Sequence, residues 1–553
     1  MCGRSRRSSE LGIFPLMSRI RSFPVVGLLA LLIFLCVAPS LGAQDVGYPV
    51  SFDDPMPLYQ VGLGPLEWTV TTSSDDAQAF FDQGMQFMYA FTPMDAARSF
   101  VEAQKRDPEC AMCFFGEAWA WGPYLNGPMR GPNAPRAYAA IRKAKRLASK
   151  ATPLEQALID AMAIRFTEVH DPDTRRALDQ AYSAAMADVW ATYPRDQAVG
   201  TFYGESLMLL QPRRGTWDIH NPEVQEIHEV LEAVLAVDIT HPGACHLYVH
   251  ATESTTEPGK AQACADHLGN AIPGASHINH MPSHTYNRVG RWDEAVQANV
   301  QAWHSDLKAE VGEGFAIYPS HNLHMLLFAA SMGGQGALAN QAAKDYGKLV
   351  TDGQFYHALT LVRFGRFDEV LDLNDSPENP IFKGLWEFGR GYAHLRVGDR
   401  DSARIYAERV EEAAVTVPDS ILFRGHTAAS LLGVTGGILR AEIQASEGQY
   451  DDAVVTLEIS VSLEDSLRYD EPEPLNFSAR HWLGALLLEL DRPAEAERVY
   501  RIALEDHPHN GWSLFGLEQA LRSQGKDAAA DRVHDDFNEA WARADVWIRS
   551  SRF

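Results

Sequence analysis

Apolar residues recur three and four apart through most of this 553-residue chain, and small residues return at fixed offsets within that rhythm. Gly84, Ala96, Phe100, Ala103 and Pro108 are separated by 12, 4, 3 and 5 positions, and Gly484, Ala496, Tyr500, Ala503 and Pro508 repeat the same spacings. Ser283, Ala295 and Ala302 follow the same rule, as do Gly391 with Ala403 and Ala441 with Ala453, while Leu483 and Ala496 return as Leu517 and Ala530. The rhythm predicts amphipathic helices. The small residues let antiparallel helices approach closely, and each hairpin hides its remaining apolar face by stacking on the next. An all-α fold follows, an α-solenoid of helical hairpins. PLEQALIDAMAIRF and RRALDQAYSAAMADVWATYP keep the helical period without the offsets, and the Pro- and Gly-rich stretches GPYLNGPMRGPNAP and LLQPRRGTWDIHNP predict loops able to cover one end of a groove.

These offsets, with a period of 34 residues between Leu483 and Leu517, resemble the tetratricopeptide repeat family. The matches lie near residues 77–109, 242–307, 384–412, 434–462 and 477–545. The chain is also similar to an exported bacterial branch of that family, marked by DPECAMCFFGEAWAWGP, HLYVHATE and HMPSHTYNRVGRW. The resemblance implies a superhelix whose first helices line a concave groove that takes a peptide or a partner protein.

Histidines are placed in register with these repeats. His246 and His250 are four apart, His280 and His284 are four apart, and the second pair follows the first by 34 residues. Residues at i and i+4 share a helix face. Aligned by repeat, His246, His280 and His324 occupy one position, His250 and His284 a second, His277 and His321 a third. In this repeat class all three face the groove. Seven histidines therefore converge, and Glu253, on the face of His250, can complete a metal shell or orient an imidazole, as can Asn287 at the matching place in the next repeat. Neutral imidazoles suit copper or zinc. Pro282 disturbs the equivalence: a helix starting near Met281 would leave His280 on the incoming loop.

Cys110 and Cys113 form a CxxC open to three readings: a short disulfide, a soft-metal site or a redox pair. Cys245 and Cys264 fall at repeat positions that face each other across a hairpin, as a disulfide or as two packed thiols. His481 with Trp482, and Trp119, Trp121 and Tyr124, read as core residues before ligand contacts.

The N-terminus adds a location. Five arginines precede an apolar run from Val25 to Val37 and the small residues of APSLGA, so residues 1–43 read as a secretory signal peptide and the protein as periplasmic or secreted. Residues 44–76 then form an N-terminal extension, 77–240 a helical region carrying the CxxC, 241–350 the His-rich repeats and 351–553 the C-terminal repeats. The leader holds five of 48 basic and one of 73 acidic residues, which leaves the remainder at −29. That charge disfavours nucleic acid, and no membrane partner is expected after cleavage. The chain has no GxSxG, HExxH, Walker or dinucleotide fingerprint. The sequence thus points to an exported protein that holds a transition metal in a histidine-lined groove, with a metal-free adaptor for a peptide or partner protein as the alternative, and a metalloenzyme of unknown substrate behind both.

Overall fold

Proline opens nine of the described α-helices. Pro93, Pro153, Pro172, Pro222, Pro242, Pro282, Pro319, Pro380 and Pro493 each stand at a helix start, where the missing N–H costs no hydrogen bond. The computed structural model describes Phe52 and residues 54–553 apart from Arg214. The signal-peptide reading of residues 1–43 lies outside the described residues. Among those described, no helix is long and apolar enough to cross a membrane, and strand is confined to a two-residue ladder pairing Leu422–Phe423 with His426–Thr427.

The fold is an α-solenoid of tetratricopeptide-type hairpins. Helix Asp75–Tyr89 packs on Pro93–Arg106, and hairpins of the same kind follow to Gly511–Ser523 with Asp527–Ala540. The predicted offsets have a direct physical cause. The Phe100 ring lies between Gly84 and Gly116, and the Tyr500 ring between Gly484 and Gly516, so close that neither pair leaves room for a Cβ. Each ring is fully buried, a gain of about 1.5 to 3 kcal/mol for a side chain of this size. Before the first hairpin, the Tyr59 and Val70 N–H groups donate to Gln83 and Gln78, holding this segment to the helix.

Buried side chains form two large cores. One runs from Met56 to Phe315, the other from Ala265 to Ala530. The histidine-bearing segment joins them, because Ile278 and Met281 belong to the first core and Tyr286 to the second.

Residues 541–553 run back over the C-terminal hairpins. The Asp545 carboxylate accepts from the Gly336 and Ala337 N–H groups, and the Phe553 carbonyl accepts from the Tyr392 hydroxyl at 2.6 Å. Arg552 pairs with Glu442 and Glu489, and Ser551 Oγ donates to the His481 carbonyl. Glu442, Tyr392 and His481 all stand on the first helices of their hairpins.

Candidate metal centre

Four helices of three neighbouring repeats carry the histidines. Helix Pro242–Glu253 starts at an unusual cap, the His241 imidazole accepting from the Ala244 N–H, and bears His246, His250 and Glu253 on one face. The next repeat contributes Ser276–His280 and Pro282–Val289, separated at Met281. Met281 keeps right-handed helical backbone (φ −51°, ψ −37°), so Pro282 costs a hydrogen bond without turning the chain. His280 therefore sits in a helical turn and not on a loop, with its Nε2 2.7 Å from that of His284. Helix Pro319–Met332 brings His321.

Six of the seven expected histidines meet. Successive ring centroids lie 5.0 Å apart for His246 and His250, 5.4 Å for His250 and His284, and 4.6 Å for His280 and His321. Their nitrogens do not form the single centre expected of His246, His250, His280 and His284. They divide into two triads, His246 with His250 and His277, and His280 with His284 and His321, the donor atoms of each lying within 4.8 Å of one another. A third possible set, His250, Glu253, His284 and Glu471, lies where the triads meet. His324 belongs to none of these sets. Its Nε2 lies 2.5 Å from the Tyr356 hydroxyl, which reaches it from helix Phe355–Arg363, two helices on. Asn287 does not orient an imidazole either, since its Nδ2 points to Met325 Sδ.

The second nitrogen of most rings is fixed. His246 Nδ1 lies 2.6 Å from the Tyr89 carbonyl, His250 Nδ1 2.7 Å from Glu253 Oε1, and His280 Nδ1 2.8 Å from Asn299 Oδ1. His284 Nδ1 contacts Glu253 Oε2 and lies 3.1 Å from Glu471 Oε2. Each oxygen of Glu253 thus serves one triad. With Nδ1 donating, the Nε2 lone pairs turn inward. His246 Nε2, His250 Nε2 and both nitrogens of His277 are buried without a hydrogen-bond partner.

Electrostatics separates the rings. Burial first, then neighbouring imidazoles, push His246, His277 and His280 far below the ordinary histidine value, and His321 follows the same trend. They are neutral, as metal ligands must be. Burial also opposes charge on His284, but Glu253 and Glu471 outweigh it and raise the group to about 10. The two carboxylates therefore call for a cation at this place, which a proton or a metal ion can supply. Despite its burial, Glu471 is held far below the carboxylate range by Arg213 and His284.

Residues distant in sequence finish the walls. Phe91, in left-handed backbone (φ 58°), packs its ring 4.1 Å from His246, 6.0 Å from His250 and 5.4 Å from His277. Tyr469 donates to Glu253 Oε2 at 3.0 Å. The two Pro- and Gly-rich loops meet beside the site. Arg213 reaches both Asn126 and Glu471, and the Tyr124 hydroxyl lies 3.0 Å from that of Tyr318. A cleft lined by His284, Met325, Tyr469, Asp470, Glu473 and Asp506 reaches the second triad. A pocket of Tyr89, Phe91, Trp119 and Phe202 adjoins His246.

Both cysteine pairs are disulfides, Cys110 with Cys113 and Cys245 with Cys264. Among the described residues, no set able to hold a metal includes a cysteine. His481, bonded to Ser513, and Trp482 and Trp119, bonded to Tyr392 and Glu205, are core residues.

No family model matches the chain, and no curated protein does. Solved structures similar to it include the human IFIT1 dimer with m7Gppp-AAAA, at 12% identity over 86% of this chain and 92% of that one with a TM-score of 0.30. The P58(IPK) TPR domain is 12% identical over 82% and 99%, TM-score 0.22, and the APC/C hetero-tetramer Cut9–Hcn1 is 11% identical over 84% and 76%, TM-score 0.30. Likeness at this level is silent on function. The repeat assignment stands on the offsets and the ring-between-glycines packing.

Proposed function

We propose that this protein is an exported tetratricopeptide-type protein that binds a transition metal, copper or zinc, through its histidine cluster. One observation carries the reading: imidazoles anchored through Nδ1 turn buried Nε2 atoms toward one another, and no protein donor meets those of His246 and His250. An unpaired buried polar atom costs about 1 to 3 kcal/mol, and a bound cation removes that cost. Glu253 fixes ligand orientation, the usual task of a carboxylate behind a metal-bound histidine. Imidazole-rich sites favour copper and zinc over magnesium or calcium. Bound metal would supply Lewis acidity, or redox chemistry if copper. Three protein ligands with a further position open is also the pattern of catalytic zinc sites, which keeps the metalloenzyme reading alive.

The test is elemental analysis of the untagged full chain after reconstitution with Cu(II) or Zn(II). Near-stoichiometric metal, lost in the double variant His250→Ala with His284→Ala while helicity persists, supports the reading; absence of metal overturns it. A second reading, a groove that binds a peptide or partner protein, is favoured by residues 551–553, which meet Tyr392, Glu442 and His481 on the first helices of the C-terminal hairpins. It predicts partner capture that chelators leave unchanged.

A further inference from the structure

Resting on the metal-binding reading, we propose that the cluster holds two transition-metal ions side by side, one on His246, His250 and His277 and one on His280, His284 and His321. Geometry excludes one ion held by all six rings, and the set His250, Glu253, His284 and Glu471 is the one arrangement in which a single ion would draw on both triads. Metal–nitrogen bonds of about 2.0 to 2.1 Å keep two ligands of one ion within roughly 4.2 Å of each other. The donor atoms within each triad lie within 4.8 Å of one another, close to that limit, whereas no such set joins His246 or His277 to His280 or His321. The six rings form two shells and not one.

The shells share a wall. His250 and His284 face each other at 5.4 Å between centroids, and His277 and His280 at 5.7 Å. Glu253 spans that wall, with Oε1 on His250 Nδ1 and Oε2 on His284 Nδ1. With one oxygen engaged on a ligand ring of each triad, this carboxylate serves as a positioning group for both ions. The polar supports are also separate: the Tyr89 carbonyl serves only the first triad, and Asn299 and Glu471 only the second. The cleft beside His284, where Glu471, Glu473 and Asp506 stand against Arg288 and His507, is an approach to the second position.

The experiment is titration of the untagged full chain with Cu(II), read by bound-metal analysis and electron paramagnetic resonance. Two equivalents are expected, with the signal of the first broadened or lost as the second binds. Binding of a single equivalent overturns this proposal and leaves metal binding intact, whereas no binding overturns both. Two equivalents whose mononuclear signals simply add would show distant ions and also defeat it. The pair His246→Ala with His277→Ala should retain one equivalent, and so should the pair His280→Ala with His321→Ala. If these buried changes prevent folding, the half-buried His321→Ala decides alone: at least tenfold weaker binding of one equivalent with the other unchanged is expected, and equal weakening of both would refute two separate positions.

Discussion

The two triads use the same ligand type on neighbouring repeats, yet their surroundings differ. The first is wholly buried, roofed by Phe91 and bordered by the Tyr89, Trp119 and Phe202 pocket. The second has a half-buried ligand, His321, a second carboxylate, Glu471, and an acidic cleft beside it. Repetition supplied the imidazoles twice. What distinguishes the positions comes from outside the histidine-bearing repeats: a left-handed turn residue at 91 and the segment 469–473. A ladder of equivalent helices can thus build two unlike positions when different loops are laid across it.

Phe91→Ala should break the comparison most severely. It removes the first triad's roof and a buried aromatic ring, and should lower stability by about 3 to 5 kcal/mol in urea unfolding; an effect under about 1 kcal/mol would deny Phe91 its packing role. Glu253→Gln comes next. Because it supports a ring in each triad, both equivalents should bind about 10 to 100 times more weakly in competition titrations, and loss confined to one would show that the carboxylate is not shared. Glu471→Gln sharpens the contrast by weakening only the second position, by about tenfold. His324→Phe should change least: both metal equivalents persist, and stability falls by about 1 kcal/mol for the lost bond to Tyr356.

A pH test reaches the scaffold under the second triad. Burial raises Asp306 to about 7, and Asp306 accepts from Asn322, the neighbour of His321. The folded protein thus binds this proton more tightly than the unfolded chain does. The stabilising contribution is complete below about pH 4 and is lost as pH rises through about 7. Asp306→Asn should flatten metal-free unfolding stability across that window; an unchanged slope would contradict the assignment.

Register made much of this legible. The i, i+4 pairs and their repetition located His246, His250, His280 and His284, and the shared repeat position added His277 and His321, because helix stacking preserves the face on which a residue lies. Glu253 was readable three residues beyond His250 for the same reason. His324 misled because register fixes a face but not a partner, and the Tyr356 hydroxyl meets it first. The division into two triads was hidden, since it depends on ring separations of a few ångströms. Phe91, Glu471 and Tyr469 had no local signal: Tyr469 is 216 residues from the Glu253 it supports. Pro282 suggested a broken register, and the helical backbone at Met281 absorbed it.

The returning segment 541–553 changes how the C-terminal hairpins come apart. A stack of repeats is ordinarily quasi-one-dimensional and opens from its ends, each unit answering only to its neighbours. Here Asp545 is tied to Gly336 across 209 residues and Phe553 to Tyr392 across 161. Opening one hairpin in that span strips contacts from several others at once, so this half melts as one cooperative block. Amide exchange there should consequently be uniform along the stack instead of graded toward its end.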